Sequence, residues 1–168
     1  MTEGYFYNFE KLDYIRGKRP EGCILCRIIA DDPEVVNLTV FRDERFAVSL
    51  NLYPFNPGHL LIFPVRHMID MREYTPEEET HLTRLCRYIL SILDVSHSPE
   101  GYNIGYNMGL VSGASIEHLH MHIIPRYQRE VGMADLIAGK RVLVEEPSKT
   151  IEKLTAVIRQ RPFSMSIT

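Results

Sequence analysis

Residues 116–126 have the sequence Ile-Glu-His-Leu-His-Met-His-Ile-Ile-Pro-Arg, and three of the seven histidines of the chain fall at alternate positions in this stretch. Because a β-strand directs successive side chains to opposite faces, His118, His120 and His122 would share one face, and the apolar residues between them the other. The β-branched residues and the closing Pro125 favour a strand over a helix. The stretch therefore predicts a row of imidazoles on a strand whose other face contributes to the core.

The spacing of these histidines limits their chemistry. A strand advances about 6.6 Å per two residues, which would separate the Cα atoms of His118 and His122 by roughly 13 Å, too far for both to bind one tetrahedral metal ion. A purely structural role suits one core histidine better than three in register, because buried polar groups are rare. A neutral imidazole, with an ordinary pKa of about 6.5, is a good nucleophile near neutral pH. The row therefore favours chemistry at phosphorus.

Composition excludes several classes of partner. The 168-residue chain has a formal net charge of −3, with both signs interspersed and no basic block, which argues against large nucleic acids and membrane surfaces. The sequence contains no charged-then-apolar leader and no apolar run of membrane-spanning length, so we expect a cytoplasmic protein. We expect one domain, with an N-terminal arm at 1–20, a core at 20–130 and a C-terminal extension at 131–168.

Apolar periodicity predicts an α+β fold, with an antiparallel sheet of about five strands packed against one long helix and a C-terminal helix. The long helix would begin with Thr75 as N-cap, Pro76 in the first turn and Glu78 closing a capping box, and would end near Asp94. A second, modest helix would follow Pro147. Besides the histidine strand, the predicted strands are 38–42, 46–50, 59–65, 101–107 and a short one at 141–144.

Two loops and a cysteine pair complete the pattern. Residues 51–58 contain two prolines and a glycine, which force a loop and deliver His59 at the start of the next strand. Residues 108–115 predict a flexible turn whose glycines let backbone N–H groups approach a ligand. Cys23 and Cys26 form a Cys-x-x-Cys, which indicates metal or redox chemistry because three cysteines cannot form a disulfide framework. It lies outside any strand-to-helix pattern of the thioredoxin type.

The residues from His118 to Ile124 match the His-φ-His-φ-His-φ-φ signature, φ being apolar, of the histidine triad (HIT) family of nucleotide hydrolases and transferases, which this chain resembles. Other features of that family fall in the expected places. They are Asn51, the loop Pro57-Gly58-His59, Asn107 eleven residues before the first triad histidine, and the turn from Gly113 to Ser115.

The resemblance covers roughly residues 20–130 and is stronger to the diadenosine tetraphosphate phosphorylase-like branch, because of the longer chain and the Asn56-Pro57-Gly58-His59 sequence. The chain departs from several relatives at Ala114, where they carry glutamine just before the triad. Contacts with the leaving group are therefore expected to differ at this position.

The resemblance implies a HIT-like fold and an enzyme that cleaves dinucleoside polyphosphates or related nucleotide conjugates at the α-phosphate. His120 would attack the α-phosphorus and form a covalent nucleotidyl-histidine, while His122 and His59 would donate hydrogen bonds to the α-phosphate oxygens. The residues implied to bind the substrate are Asn107, Gly113 and Ser115 at the phosphates and Asn51 at a ribose hydroxyl.

The resemblance also implies a structural zinc ion. In some relatives it is held by the residues that correspond here to Cys23, Cys26, His67 and His118. Two thiolates and two imidazoles form a closed set, which would tie the arm to the sheet and would not catalyse. No organic cofactor is implied, and relatives commonly form homodimers.

Three alternatives remain open at this stage. The nucleotidyl acceptor could be water or inorganic phosphate, which makes the enzyme a hydrolase or a phosphorylase. A metal-dependent hydrolase would use His120, His122 and His59 around a catalytic ion. A nucleotide-binding protein with little turnover would keep the same pocket, which the substitution at Ala114 would allow.

Overall fold

The computed structural model describes residues 21–128 and 145–165, in which five strands form an antiparallel sheet of order β1-β2-β3-β5-β4. The α+β class and the antiparallel meander of the first three strands are confirmed. The strands are β1 (Thr39–Arg42), β2 (Phe46–Leu50), β3 (Leu60–Pro64), β4 (Gly101–Tyr106) and β5 (Met121–Arg126). The predicted arm at 1–20 and the predicted strand at 141–144 lie outside the described residues.

Three α-helices cover the sheet in the part of the chain that is described: α1 (Ile24–Ile29), α2 (Pro76–His97) and α3 (Pro147–Gln160). The capping box of α2 is confirmed, since Thr75 and Glu78 exchange side-chain to backbone hydrogen bonds of 3.2 and 2.9 Å. This helix continues past the predicted end at Asp94. Among 21–128 and 145–165, no helix is both long and apolar enough to cross a membrane.

The two faces of the sheet bury unequal cores. Alternate residues of β2 and β3, such as Val48 and Ile62, pack in the larger core with α2 and α3. The residues between them, such as Ala47 and Leu61, pack in a smaller core with Leu25 of α1. Each fully buried aliphatic or aromatic side chain contributes about 1.5–3 kcal/mol. The larger core is therefore the main source of stability, and the smaller one attaches α1 to the sheet.

The loop between β2 and β3 is held tightly against its surroundings. Gly58 has a φ of 78°, and a Cβ at this position would lie 3.1 Å from a methyl group of Leu93 on α2. Glycine therefore serves both the turn and the close approach of the two elements. Asn56 is buried and donates to the carbonyl oxygen of Pro125 at 2.6 Å. These contacts fix the backbone that leads directly into His59.

The prediction for the histidine stretch was wrong in its extent, because β5 begins at Met121 and not before His118. Met121 pairs with Ile62 of β3 and with Tyr106, the last residue of β4. The neighbouring strand β4 ends there, and pairing with β3 stops at Ile62 although β3 continues to Pro64, so the residues before Met121 have no ladder partners. Within β5 the expected alternation holds, since Met121 is buried and His122 is partly exposed.

Candidate active site and metal-ligand set

His120 lies just before β5 and is almost completely buried. Its Nδ1 is 2.7 Å from the carbonyl oxygen of His118. Because a carbonyl oxygen can only accept, Nδ1 carries the proton and donates, which leaves Nε2 unprotonated in the neutral ring. Burial lowers the pKa of His120, against the opposing effect of the hydrogen bond to His118. Near neutral pH, His120 is therefore a neutral imidazole with a lone pair on Nε2.

His122 lies within β5 and shares a sheet face with Leu61, its partner on β3. Its ring centroid is 4.9 Å from that of His120. Burial, and secondarily the neighbouring His120, lowers the pKa of His122 to about 4. The two imidazoles are therefore neighbours and both neutral near pH 7, although only His122 belongs to the strand.

His59 immediately precedes β3 and is fully buried beside His122. The backbone N–H of Phe55 donates to His59 Nδ1 at 3.1 Å, so the proton of the neutral ring is on Nε2. His59 donates that proton to His122 Nδ1 at 3.0 Å. Since His122 Nδ1 accepts, the proton of the His122 ring lies on its Nε2. The contacts from Phe55 through His59 therefore fix the tautomer of His122.

Two asparagines flank this histidine cluster. The side-chain amide of Asn107, which follows β4, lies 3.5 Å from His122 Nε2. Because Nε2 carries the proton in this tautomer, only the amide oxygen of Asn107 could accept from it. Asn51 follows β2, and its Oδ1 accepts from the backbone N–H of Tyr53 at 3.2 Å. The Asn51 Nδ2 lies 3.3 Å from both ring nitrogens of His59. Asn51 and Asn107 thus form one cluster, the histidine cluster, with His59, His120 and His122.

The other two residues expected to bind substrate lie in the turn between β4 and β5. Gly113 ends a 3₁₀ turn (Leu110–Ser112) with a φ of 90°, a conformation that favours glycine, and Ser115 is exposed. Sequence analysis missed one contributor to the cluster, the backbone N–H of Phe55. A backbone donor leaves no trace in residue type, and the nearest signal was the proline-containing loop before His59.

Cys23, Cys26, His67 and His118 form a second cluster, the metal-ligand set, whose ligand atoms all lie within 4.8 Å of one another. Cys23 caps α1 and Cys26 lies one turn later, so both thiols are on the same side of the helix. Cys23 Sγ and Cys26 Sγ are 3.3 and 3.5 Å from His118 Nδ1, and Cys26 Sγ is 3.3 Å from His67 Nδ1. Edges of a zinc tetrahedron with bonds of about 2.0–2.3 Å measure about 3.3–3.8 Å, which matches these separations.

The chemistry of the metal-ligand set also fits zinc. His118 Nε2 donates to the carbonyl oxygen of Pro64 at 2.9 Å, so Nδ1, which faces the thiols, is unprotonated and able to bind a metal. Burial lowers the pKa of His118 to about 4. Burial also raises the pKa of the Cys26 thiol to about 11, with a smaller contribution from Cys23. A cation would supply the positive charge that paired thiolates require.

An open cleft adjoins both clusters. Ala114 lies in its wall and contributes no polar group there. Other residues of the wall are Asp70, Arg72, Asn107, Gly109 and His118.

Comparison with known proteins agrees with this arrangement. A family model described as HIT domain matches residues 32–129. The chain is 34% identical over 107 residues to AP-4-A phosphorylase of Mycobacterium tuberculosis. The aligned segment covers 63% of this chain and 55% of that protein. It is 33% identical over 97 residues to bis(5'-nucleosyl)-tetraphosphatase [asymmetrical] of Schizosaccharomyces pombe, covering 58% of this chain and 53% of that protein. The chain thus spans about half the length of these relatives.

The fold agrees with a solved structure as well. A Zn-bound histidine triad family protein from Mycobacterium smegmatis superposes with a TM-score of 0.68 at 24% identity, over 83% of this chain and 94% of that one. The matching family model covers more than half of the sequence and contains the histidine cluster described above. The chain therefore belongs to the HIT domain family.

Proposed function

We propose that this protein is a nucleotide hydrolase or nucleotidyl transferase that cleaves dinucleoside polyphosphates, or related nucleotide conjugates, at the α-phosphate through a nucleotidyl-His120 intermediate. The observation that carries the proposal is the 2.7 Å hydrogen bond from His120 Nδ1 to the carbonyl oxygen of His118, which leaves the lone pair on Nε2. The named activities of the relatives support a nucleotide substrate.

The reaction would proceed in two displacements. The lone pair of His120 Nε2 would attack the α-phosphorus, and the bond from phosphorus to the bridging oxygen would break, with its electron pair leaving on the departing phosphate. Water or inorganic phosphate would then attack the same phosphorus, lose its proton, and return the bonding pair to Nε2. In the covalent stage the ring is cationic, and the hydrogen bond from Nδ1 to the His118 carbonyl oxygen would stabilise that charge.

His122 would stabilise the charge that develops on the phosphorus-bound oxygens. The tautomer set by His59 gives His122 an N–H at Nε2, and the long contact with Asn107 would give way to a phosphate oxygen. Because His59 donates to His122, we assign it a positioning role in place of the direct phosphate contact that the family resemblance implied. Asn107 would assist at the phosphates. The contribution of Asn51 at a ribose, and those of Gly113 and Ser115, remain predictions.

The same contacts disfavour a catalytic metal ion held by His59, His120 and His122. His122 Nδ1 accepts a hydrogen bond from His59, and His120 Nδ1 donates one to a carbonyl oxygen. The three rings therefore do not offer three converging lone pairs. A low-turnover binding protein would keep the same geometry, and turnover measurements distinguish it. Homodimer formation and a cytoplasmic location also remain predictions.

The proposal includes a structural zinc ion bound by Cys23, Cys26, His67 and His118. The three separations of 3.3–3.5 Å between sulfur and nitrogen atoms and the unprotonated Nδ1 of His118 support this assignment. A bound ion would cross-link α1 to the segment that follows β3, and its four protein ligands would leave no position for substrate. Metal analysis of the purified chain should find about one zinc per chain.

A substrate panel tests the proposed activity. The full chain would be incubated with diadenosine tri- and tetraphosphate, with and without inorganic phosphate, and the products resolved by ion-exchange chromatography. Adenosine monophosphate would identify a hydrolase, and adenosine diphosphate formed only with added phosphate would identify a phosphorylase. Absence of turnover with these substrates and with a nucleoside phosphoramidate would overturn the proposal and leave nucleotide binding.

A further inference from the structure

We propose that the metal-ligand set positions the catalytic nucleophile, because one residue, His118, connects this set to His120. Its ring is one of the four proposed metal ligands, and its backbone carbonyl oxygen accepts the hydrogen bond from His120 Nδ1. Cys23, Cys26 and His67 are then positioning residues for the reaction. The inference rests on the proposed function for its kinetic consequences, whereas its structural content can be measured independently.

The first step concerns what the sheet leaves unsupported. The ladder of β5 begins with Met121, which pairs with Ile62 and Tyr106. His118 and His120 precede it, so backbone pairing in the sheet does not hold them in place. A nucleophile outside regular structure needs other contacts to keep one orientation, because each unrestrained backbone residue retains about 1–2 kcal/mol of conformational entropy.

The second step concerns what holds His118. Its Nε2 donates to the carbonyl oxygen of Pro64, and the N–H of Leu119 donates to the carbonyl oxygen of Met68 at 2.6 Å. Its ring lies edge-on to that of His67, with centroids 5.0 Å apart. The thiols of Cys23 and Cys26, at the start of α1, complete the surroundings of the His118 ring. Neutral thiols are weak hydrogen-bonding groups, whereas metal bonds to thiolates and imidazoles are strong.

The third step concerns how little must move to affect catalysis. The ring and the carbonyl oxygen of His118 are parts of the same residue, so a change in its orientation moves the acceptor of His120 Nδ1 directly. The hydrogen bond measures 2.7 Å and is lost beyond about 3.2 Å. Without it, the proton of the His120 ring is free to occupy Nε2, and that tautomer cannot attack phosphorus.

The inference separates kcat from KM. His122 lies in β5 and Asn107 directly follows β4, so the sheet places both residues. Loss of the ion should therefore leave substrate binding nearly intact. We expect kcat to fall about 10–100-fold, the range seen when support around a site is lost or a reacting group is misplaced by about 1 Å. KM should change less than about threefold.

The test compares cysteine variants of the full chain. Cys23→Ser and Cys26→Ser each remove one ligand, and Cys86→Ser is the matched control, because Cys86 is a partly buried free thiol on α2 outside the set. Each protein is measured for zinc content, kcat, KM and the ¹⁵N shifts of the His120 ring. We expect both ligand variants, and not the control, to lose zinc, to lose kcat and to show a mixture of His120 tautomers.

Chelation provides the second arm, which does not depend on whether the variants fold. Wild-type protein is stripped of metal and then given zinc chloride alone, with far-UV circular dichroism recorded throughout. Unchanged kcat and an unchanged His120 tautomer in the folded, metal-free protein would overturn the inference. So would global unfolding on chelation, or a rise in KM without loss of kcat. If no nucleotide is turned over at all, the proposed function fails, and the tautomer measurement still tests the coupling.

Discussion

His122 and His118 belong to one sequence motif, yet different parts of the molecule hold them in place. His122 lies inside β5 and pairs with Leu61 on one side and Gly105 on the other. His118 precedes the strand. Its ring donates to the carbonyl oxygen of Pro64 and faces the other members of the metal-ligand set, and the N–H of Leu119 donates to Met68. The alternation of side chains along a strand therefore explains the orientation of His122, the third histidine of the motif. The first two depend on segments distant in sequence, and substitutions in those segments should affect them selectively.

The largest expected effect follows from His120→Asn. Asparagine keeps an N–H donor but has no nucleophilic nitrogen, so turnover should fall more than about 10³-fold. The thermal midpoint should stay close to that of the wild type, because His120 belongs to neither hydrophobic core and asparagine can keep the hydrogen bond to the His118 carbonyl oxygen. Product formation at more than a few per cent of the wild-type rate would remove His120 from the role of nucleophile.

Core substitutions separate the sheet from the segment that carries the metal ligands. Leu85 lies on α2 and packs in the larger core. Leu85→Ala should lower the free energy of unfolding by about 3–5 kcal/mol and leave zinc affinity unchanged. Leu25→Ala, in the smaller core on α1, should cost less, about 2–3 kcal/mol, and should weaken zinc binding. Denaturant titration and competition with a chelator measure the two quantities. Equal effects of both variants on zinc affinity would contradict the distinction.

His59→Leu, which has no N–H donor in its side chain, tests how His59 fixes the tautomer of His122 in strand β5. Removal of the N–H that fixes His122 should lower kcat about 100-fold, the loss expected when a group in the site is misplaced by about 1 Å. The ¹⁵N shifts of the His122 ring should change, while those of His120 should not, because its acceptor is the His118 carbonyl oxygen. A His122 tautomer that is indifferent to the substitution would show that His59 has another role.

The smallest expected effect concerns a link between α2 and the segment that carries His67. Glu78 is nearly buried and accepts two hydrogen bonds from Arg66, at 2.7 and 2.8 Å. The Arg66 guanidinium lowers the pKa of the Glu78 carboxyl to about 2. Glu78→Gln should destabilise the protein by about 1–2 kcal/mol at neutral pH, since the exposed side of Arg66 screens the pair.

The sign of the pH dependence follows from the direction of that shift. A carboxyl with a lowered pKa contributes its stability above its ordinary value of 4.5 and loses it as the pH falls towards 2. Denaturant midpoints of the wild type and Glu78→Gln should therefore converge between about pH 4.5 and pH 2. A difference that persists unchanged at pH 2 would mean that the carboxylate charge does not matter there.

Local chemistry explains which elements could be predicted. β2 was predicted to the residue, because its apolar run is bounded by polar residues and a proline-rich loop. The start of α2 was predicted from its capping box. Its end was not, because the left-handed C-cap is Ser98, where no glycine marks the position. Helix α1 was missed because six residues give too short a pattern, and the Cys-x-x-Cys obscured it.

The residues of the candidate site could be predicted from the sequence, but their arrangement could be predicted only in part. The motif predicted His120 and His122, and the family resemblance supplied the four residues of the metal-ligand set, which the structure brings together. The true start of β5 could not be predicted, because it depends on where β4 ends at Tyr106 and on where pairing with β3 stops at Ile62. The tautomers depend on backbone partners, the carbonyl of His118 and the N–H of Phe55, and residue identities do not encode these.

The most direct test of the central claim is mass spectrometry of the full chain quenched in alkali during turnover of diadenosine tetraphosphate. We expect an added adenylyl group on the peptide that contains His120, formed and lost at rates that support turnover, and absent from His120→Asn. An adduct on a different residue, or full turnover with no covalent adduct at any time point, would contradict the account.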